Sequence, residues 1–217
     1  MKIRPILFPP IMVRALLAGR KTMTRRVLKP QPEKIVREFR HVAVAVKSGK
    51  GVWEAHDHRG AVYAFPDGKG CVTCHVETVE PGDLLWVREA HAHPNDQVTI
   101  YRANWREDAL ARGLDNVPAT DADIRWRPSI HMCRDDSRLT LEVTGVEVER
   151  LQEITHDDCI REGIEVTLLA PHLQQQFRDI WNSLNGPSAW DANPWVAAIS
   201  FEVHRGNVKD VAPQGKD

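Results

Sequence analysis

Four cations and two threonines share one short motif, GRKTMTRR, at residues 19–26. In a desolvated site Lys21, Arg25 and Arg26 would repel one another unless an anion or a carboxylate lay among them. Burial and neighbouring cations favour the neutral form of a lysine, so Lys21 could accept a proton. Thr24 would then be a candidate nucleophile or hydrogen-bond donor beside that amine. A solvated basic turn explains the composition equally well.

Glu162 is the second residue whose position suits chemistry. It closes a short predicted helix that starts at Thr155, where Thr155 and Asp158 match a capping box, and stops at Gly163. The C-terminal end of a helix disfavours a charged carboxylate, which suits a general acid or base. A surface glutamate in an acidic helix is the simpler interpretation of this spacing.

The segment WRPSIHMCR, residues 126–134, combines an aromatic ring, two guanidiniums and an imidazole. Trp126 could stack on a base, and Arg134 could bind a phosphate, with His131 between them. Ordinary packing of Trp126 and solvent exposure of the other two is the alternative.

Cys71, Cys74 and His75 form a CxxCH motif. This motif attaches c-type haem in exported proteins, and the same three side chains could bind zinc with His56 or His58 as a fourth ligand. The chain shows no export signal, so zinc is preferred to haem, and a loop without metal is the third interpretation.

Composition limits the classes of function. The chain has 217 residues, 42% of them hydrophobic, and a formal net charge of −1, which predicts one domain and argues against a protein that binds polyanions over its whole surface. Between Arg14 and Arg40, however, nine Lys or Arg face only two Glu. With no run of about 20 apolar residues, no signal peptide and a single close cysteine pair, a cytoplasmic protein is expected.

The elements that must position these residues follow from periodicity. Pro9 and Pro10 begin a helix that Gly19 ends, and apolar spacing predicts a second amphipathic helix from Leu173 to Leu184. Strands are expected at residues 3–8, 84–87, 98–102, 138–150 and 199–203. The pattern predicts an α+β fold with a curled, mostly antiparallel sheet, in one domain over residues 1–205. Residues 30–80 and 103–130 would be insertions or excursions, and residues 206–217 a flexible tail.

Taken together, several motifs resemble the ASCH domain family, a relative of the PUA RNA-binding fold. They are LAGRKTMTRR after the first helix, PGDLLWVRE on a middle strand, LTLEVTGVEVERLQEIT before the helix with Glu162, and the final aromatic strand. The segments WRPSIHM and WDANPW are similar to the longer ASCH proteins common in phages and prophages. The resemblance covers most of residues 3–204.

The resemblance implies a PUA-type β-barrel with flanking helices. Small ASCH members include an amidohydrolase that deacylates N4-acetylcytidine, and its Lys, Thr and Glu correspond to Lys21, Thr24 and Glu162. Other members are ribonucleases or RNA binders. This chain is about twice their size, and Arg25 stands where the small enzymes have an apolar residue.

Two functions are therefore expected, and they differ in what the basic motif does. In the first, the protein hydrolyses an amide on a modified base, nucleoside or nucleic acid. Catalysis would use Lys21, Thr24 and Glu162, and the substrate would be bound by Arg25, Arg26, Trp126, His131 and Arg134. In the second, a non-catalytic RNA- or DNA-binding module uses the same cations on phosphates. A zinc-stabilised interaction protein is a third option.

Overall fold

The computed structural model describes residues 1–28, 31, 43–48, 52–56, 62–63, 79–95, 98–113, 120–166 and 172–212. Within these ranges the α-helices are α1 Pro10–Leu17, α2 Trp105–Ala111, α3 His156–Arg161, α4 Leu173–Asn185 and α5 Val208–Val211. The predicted helices α1, α3 and α4 are confirmed. None of the described helices is both long enough and apolar enough to cross a membrane.

The described strands form three sheets. They are β1 Ile3–Leu7, β2 Met23–Val27, β3 Ala43–Ser48, β4 Val52–His56, β5 Val62–Tyr63, β6 Leu84–Arg88, β7 His91–Asn95, β8 Val98–Tyr101, β9 Leu139–Arg150 and β10 Trp195–Arg205. The largest sheet has the order β1-β6-β9-β10-β2 and is mixed, because β1 runs parallel to β6. The smaller sheets are β3-β4-β5 and β7-β8, both antiparallel. The fold is α+β as predicted.

A closed barrel is not seen among the residues that the structure describes, where the largest sheet ends at β1 on one side and β2 on the other. The PUA-type barrel implied by the resemblance therefore stays a prediction.

Contacts divide the chain into two compact units, described here one at a time. Unit 1 comprises residues 1–21, 82–142 and 202–217. In it β1 pairs with β6 from Ile3↔Leu84 onward, and β6 pairs antiparallel with the start of β9. One of its apolar clusters contains Ala92, Ile100, Trp105 and Ile124, and this cluster packs β7, β8 and α2 together.

The end of the chain differs from the predicted flexible tail. Asn207 caps α5 by accepting a hydrogen bond from the N–H of Lys209, and its side-chain amide donates to the carbonyl of Ser137. Val208 is buried against Leu84 and Trp86. The apolar contact and the cap together order residues that composition alone describes as polar.

Unit 2 comprises residues 22–81 and 143–201. In it β2 pairs antiparallel with β10, with Thr24 opposite Ile199. Its core joins α3 and α4 through Leu151, Ile154, Cys159, Ile164, Leu173, Phe177, Trp181 and Val196. The sheet β3-β4-β5 lies inside the predicted insertion at residues 30–80, and the three strand-like pieces expected there are confirmed.

Candidate functional site

Two backbone hydrogen bonds fix the start of β2 within unit 2. The N–H of Thr22 donates to the carbonyl of Arg161 at 2.8 Å, and the N–H of Phe201 donates to the carbonyl of Thr22 at 2.9 Å. Arg161 ends α3 and directly precedes Glu162, which caps that helix. The GRKTMTRR motif and the helix that carries Glu162 are therefore joined, although about 140 residues separate them.

Strand β2 begins only at Met23, so Lys21 lies before the strand. The alternation rule, which would set Lys21 and Thr24 on opposite faces, applies to residues within one straight strand and does not bear on this pair. Thr24 and Arg25 are both 4% exposed, whereas the side chain of Arg26 is exposed. A solvated basic turn accounts for Arg26 but not for the buried residues of the motif.

Arg25 contacts three carboxylates at once. Its Nε donates to Glu149 Oε1 at 2.6 Å, Nη1 donates to Glu162 Oε1 at 3.3 Å, and Nη2 lies 3.0 Å from Asp158 Oδ2 as an ion pair. Glu162 is itself buried, at 3% exposed. The counter-charges that the basic motif requires thus include acids of the same chain, and one of them is the glutamate predicted to be catalytic.

The carboxylates of this cluster differ in how readily they hold a proton. Burial raises the pKa of Glu149 above its ordinary value despite the Arg25 charge. Burial alone would also raise the pKa of Asp158, but hydrogen bonds from Thr155 and the Arg25 charge outweigh it and lower that pKa. Burial alone would lower the pKa of Arg25, and the three carboxylates raise it instead. The cluster therefore combines an acid that keeps its charge with one that gives it up more easily.

Lys21 belongs to unit 1 and is 1% exposed, which makes it one of the largest fully buried side chains in the described residues. Its backbone N–H donates to the carbonyl of Ala15 in α1 at 3.2 Å, and its Nζ lies 5.5 Å from the centre of the Phe8 ring. Fully buried lysines are rare and are usually paired. This burial agrees with the prediction that Lys21 is more than a solubilising residue.

The other predicted substrate-binding residues lie in unit 1. Trp126 is half-buried, and its indole N–H donates to the side chain of Asp121 at 3.0 Å. Both His131 and Arg134 belong to single 3-10 turns, and their side chains are exposed. The structure therefore brings Thr24, Arg25 and Glu162 together in unit 2, whereas Trp126, His131 and Arg134 belong to the other unit.

Sequence reasoning missed two members of the Arg25 cluster. Asp158 was assigned only as a helix cap, and it does accept hydrogen bonds from Thr155 at the start of α3. Glu149 is one of several polar residues in the second half of β9. A buried arginine requires acids, but no spacing rule indicates which acids of a long chain will reach it.

Unit 1 contains a group that could hold a metal ion. Donor atoms of His91, His93 and Asp136 all lie within 4.8 Å of one another. The predicted zinc ligands Cys71, Cys74 and His75 lie outside the described residues, so the structure does not bear on them. The HAH sequence at residues 91–93 was the available signal for the new group, because alternate residues of a strand share a face.

A surface groove of about 510 Å³ lies in unit 2. It lies beside the start of α3 and along α4, and its lining includes His156, His172, Arg178 and Trp190. Glu162 is at the opposite end of α3, so this groove is separate from the Arg25 cluster.

Comparison with protein-family models, with curated proteins and with solved structures gives no match for this chain. Assignment to the ASCH family therefore rests on the motifs alone. What the site can do must be argued from its own geometry.

Proposed function

We propose that the chain is a hydrolase of the ASCH type that cleaves an amide on a modified base, of which N4-acylcytidine is the model substrate. The proposal includes a PUA-like domain, and its substrate is a nucleoside or the same modified base in a nucleic acid. Lys21, Thr24 and Glu162 are its catalytic residues. The activity is written as an expectation that the following contacts support.

One observation carries the proposal. The buried carboxylate of Glu162 accepts a hydrogen bond from Arg25, and Arg25 belongs to the same short motif as Thr24. A buried carboxylate costs free energy unless it is paired, and proteins keep such groups where chemistry needs them. The two motifs that the resemblance connects with catalysis are thus in direct contact in one unit.

The contacts suggest a division of labour in the reaction. Water adds to the amide carbonyl, the bond to the exocyclic nitrogen breaks, and the products are a carboxylate and the free base amine. Glu162 takes the proton of the attacking water and returns it to the departing nitrogen. Thr24 acts as the nucleophile or positions the water, and Lys21 acts as base or stabilises the developing oxyanion.

Arg25 is assigned a positioning role in this scheme. It binds the Oε1 atom of Glu162 and is held from two further sides by Glu149 and Asp158. A guanidinium fixed in this way limits the rotamers of the glutamate. Its own charge is engaged by these acids, so phosphate or base binding is assigned to Arg26 on the exposed side of β2.

The test is deacylation of N4-acetylcytidine and a series of N4-acylcytidines by the full chain, followed by chromatography of the nucleoside products. Glu162→Gln and Lys21→Ala are expected to lower the rate by at least about 100-fold, because each removes a proton-transfer or charge-stabilising group. Circular dichroism should show an unchanged fold for Glu162→Gln.

Glu165→Gln is the matched control, since Glu165 follows the same helix and its side chain is exposed. It should leave the rate unchanged. Absence of turnover by the wild type on every acylated nucleoside, or full activity of Glu162→Gln, would refute the hydrolase.

A binding module without catalysis, acting on RNA or DNA, is the second candidate. It is favoured by the exposed guanidiniums of Arg26 and Arg161, both in unit 2. Fluorescence anisotropy with a labelled single-stranded RNA would then show affinity that falls steeply with salt, and Arg26→Ala would reduce the slope by about 0.7, one phosphate contact on a single strand. Ribonuclease activity would appear in the same assay as shortening of the RNA.

The zinc interpretation of Cys71, Cys74 and His75 also stays a prediction. Metal content of the purified wild type and of Cys71→Ser/Cys74→Ser, measured by mass spectrometry, tests it. A loss of one zinc per chain in the double variant would support it.

A further inference from the structure

Two histidines of β7 and one aspartate form a compact donor group in unit 1. His91 and His93 are alternate residues of one strand, and Asp136 ends a single 3-10 turn just before β9. Their donor atoms lie within 4.8 Å of one another. The two imidazole rings meet edge to face with their centres 5.3 Å apart.

Hydrogen bonding defines the tautomer of His91. Its Nδ1 lies 3.3 Å from the carbonyl oxygen of Glu89, which can only accept, so Nδ1 carries the proton. The lone pair is therefore on Nε2. A ring nitrogen that donates to a backbone carbonyl, with the other nitrogen available, is the arrangement found in histidines that bind metals.

The same proton count applies to His93. The hydroxyl of Thr99 donates its single proton to Asp136 Oδ1 at 3.2 Å, so toward His93 Nδ1, also at 3.2 Å, it can only accept. Nδ1 of His93 therefore carries a proton, and Nε2 has the lone pair. This Nε2 lies 3.7 Å from Asp136 Oδ2. Two acceptors thus face each other, and they require either a second proton on His93 or a cation between them.

The surroundings hold this group in place and leave one side open. The hydroxyl of Tyr101 donates to the backbone carbonyl of Asp136 at 2.9 Å, and the backbone of His91 exchanges two hydrogen bonds with Arg127. His91 is 1% exposed, whereas the side chains of His93 and Asp136 are each 24% exposed. An ion could reach the group from the side of His93 and Asp136.

We propose that His91 Nε2, His93 Nε2 and Asp136 Oδ2 bind a divalent first-row transition metal ion, with Zn²⁺ as the probe. Two imidazoles and one carboxylate form a donor set used by zinc and non-haem iron sites, which keep further positions for water. Zinc ligands lie at about 2.0–2.2 Å from the ion, so side-chain rotation must bring the three donor atoms closer together. The inference does not depend on the hydrolase, because it concerns other residues and has its own readout.

The experiment is calorimetric titration of the metal-free full chain with Zn²⁺, repeated with Co²⁺ to record its visible absorption. The background variant is Cys71→Ser/Cys74→Ser, which removes the other predicted zinc ligands. One ion per chain is expected, and His93→Gln or Asp136→Asn should weaken binding by at least about 100-fold. Thr99→Val, which removes only the second hydrogen bond of His93, should weaken it by about 10- to 100-fold.

His204→Gln is the matched control, because His204 lies 3.1 Å from Glu142 and forms a histidine–carboxylate pair in the same unit. It should bind Zn²⁺ as the background does. Failure of the background to bind Zn²⁺ overturns the proposal and leaves His93 and Asp136 as an ion pair. Unchanged affinity in both His93→Gln and Asp136→Asn, with the fold intact by circular dichroism, overturns it as well.

Discussion

Each unit contains an arginine that holds a buried glutamate, and the two arginines do so differently. In unit 1, Arg138 binds Glu89 through two parallel hydrogen bonds, from Nε at 2.8 Å and from Nη2 at 3.0 Å. Arg138 also donates to Asn104 and stacks 3.9 Å from the centre of the Tyr101 ring. In unit 2, Arg25 divides its guanidinium among three carboxylates.

The difference separates a structural pair from a candidate site. Both oxygens of Glu89 are bonded to Arg138, which is the strongest geometry for such a pair and satisfies the acid. Glu162 receives from Arg25 a single, longer hydrogen bond at its Oε1. A carboxylate held at one oxygen is oriented and can still exchange a proton. Burial alone therefore does not identify the catalytic acid, whereas the number and geometry of its bonds to arginine do.

The largest expected effect comes from removing the shared cation. Arg25→Met leaves three carboxylates without their common partner and should lower the free energy of unfolding by about 3–5 kcal/mol. Arg138→Met strips one buried carboxylate and should cost less, about 2–3 kcal/mol. Urea denaturation of both variants measures this. A larger loss in Arg138→Met would reverse the comparison.

Lowering the pH should partly rescue Arg25→Met. Without the guanidinium, burial raises the folded-state pKa of the stranded carboxylates above the unfolded values, so the folded state binds more protons and is stabilised as pH falls. Its stability should rise between pH 7 and pH 5, relative to wild type. A stability difference between Arg25→Met and wild type that does not change over this range would contradict the shared-cation description.

Within the intact Arg25 cluster, two acids should respond to pH with opposite signs. The lowered pKa of Asp158 means that its stabilisation is present above its unfolded value of 3.8 and is lost as pH falls through the folded pKa. Asp158→Asn should therefore flatten the acid side of the stability curve. The raised pKa of Glu149 means that its cost is present at neutral pH and fades on acidification toward its unfolded value of 4.5. Chemical denaturation from pH 7 to pH 3 would show both, and a steeper acid loss in Asp158→Asn would show that the sign is wrong.

The smallest effect is expected at an exposed ion pair of the same unit. Arg178 lies 3.5 Å from Asp191, and their side chains are 42% and 58% exposed. Arg178→Met should change the free energy of unfolding by no more than about 1 kcal/mol, because exposed pairs gain little over their hydrated charges. This variant makes the same Arg→Met change as Arg25→Met and isolates the contribution of burial. A loss as large as that of Arg25→Met would show that burial is not the cause.

Local elements were predictable wherever the signal is contained in a few neighbouring residues. The capping box at Thr155 set the start of α3, and Pro10 set the start of α1. The apolar spacing of α4 and the alternation at the start of β9 depend on the same kind of short-range pattern. Such signals arise from backbone hydrogen bonding and from one buried face, both of which act within a few residues.

Partners across the chain were not predictable in the same way. The sequence indicated that the basic motif needs an anion and that Glu162 suits proton transfer, but it assigned Arg25 to a ligand. It also did not relate Asp136 to His91 and His93, which lie about 45 residues earlier.

The sequence by itself determined the helices and strands, the buried faces, and the residue types able to transfer a proton or bind an ion. Only the tertiary structure decided that Arg25 meets Glu149, Asp158 and Glu162, and that Asp136 meets two histidines of β7. The physical reason is range. Secondary structure is set by interactions between near neighbours, whereas a buried charge takes whichever counter-charge the packing of distant strands and helices brings within about 4 Å.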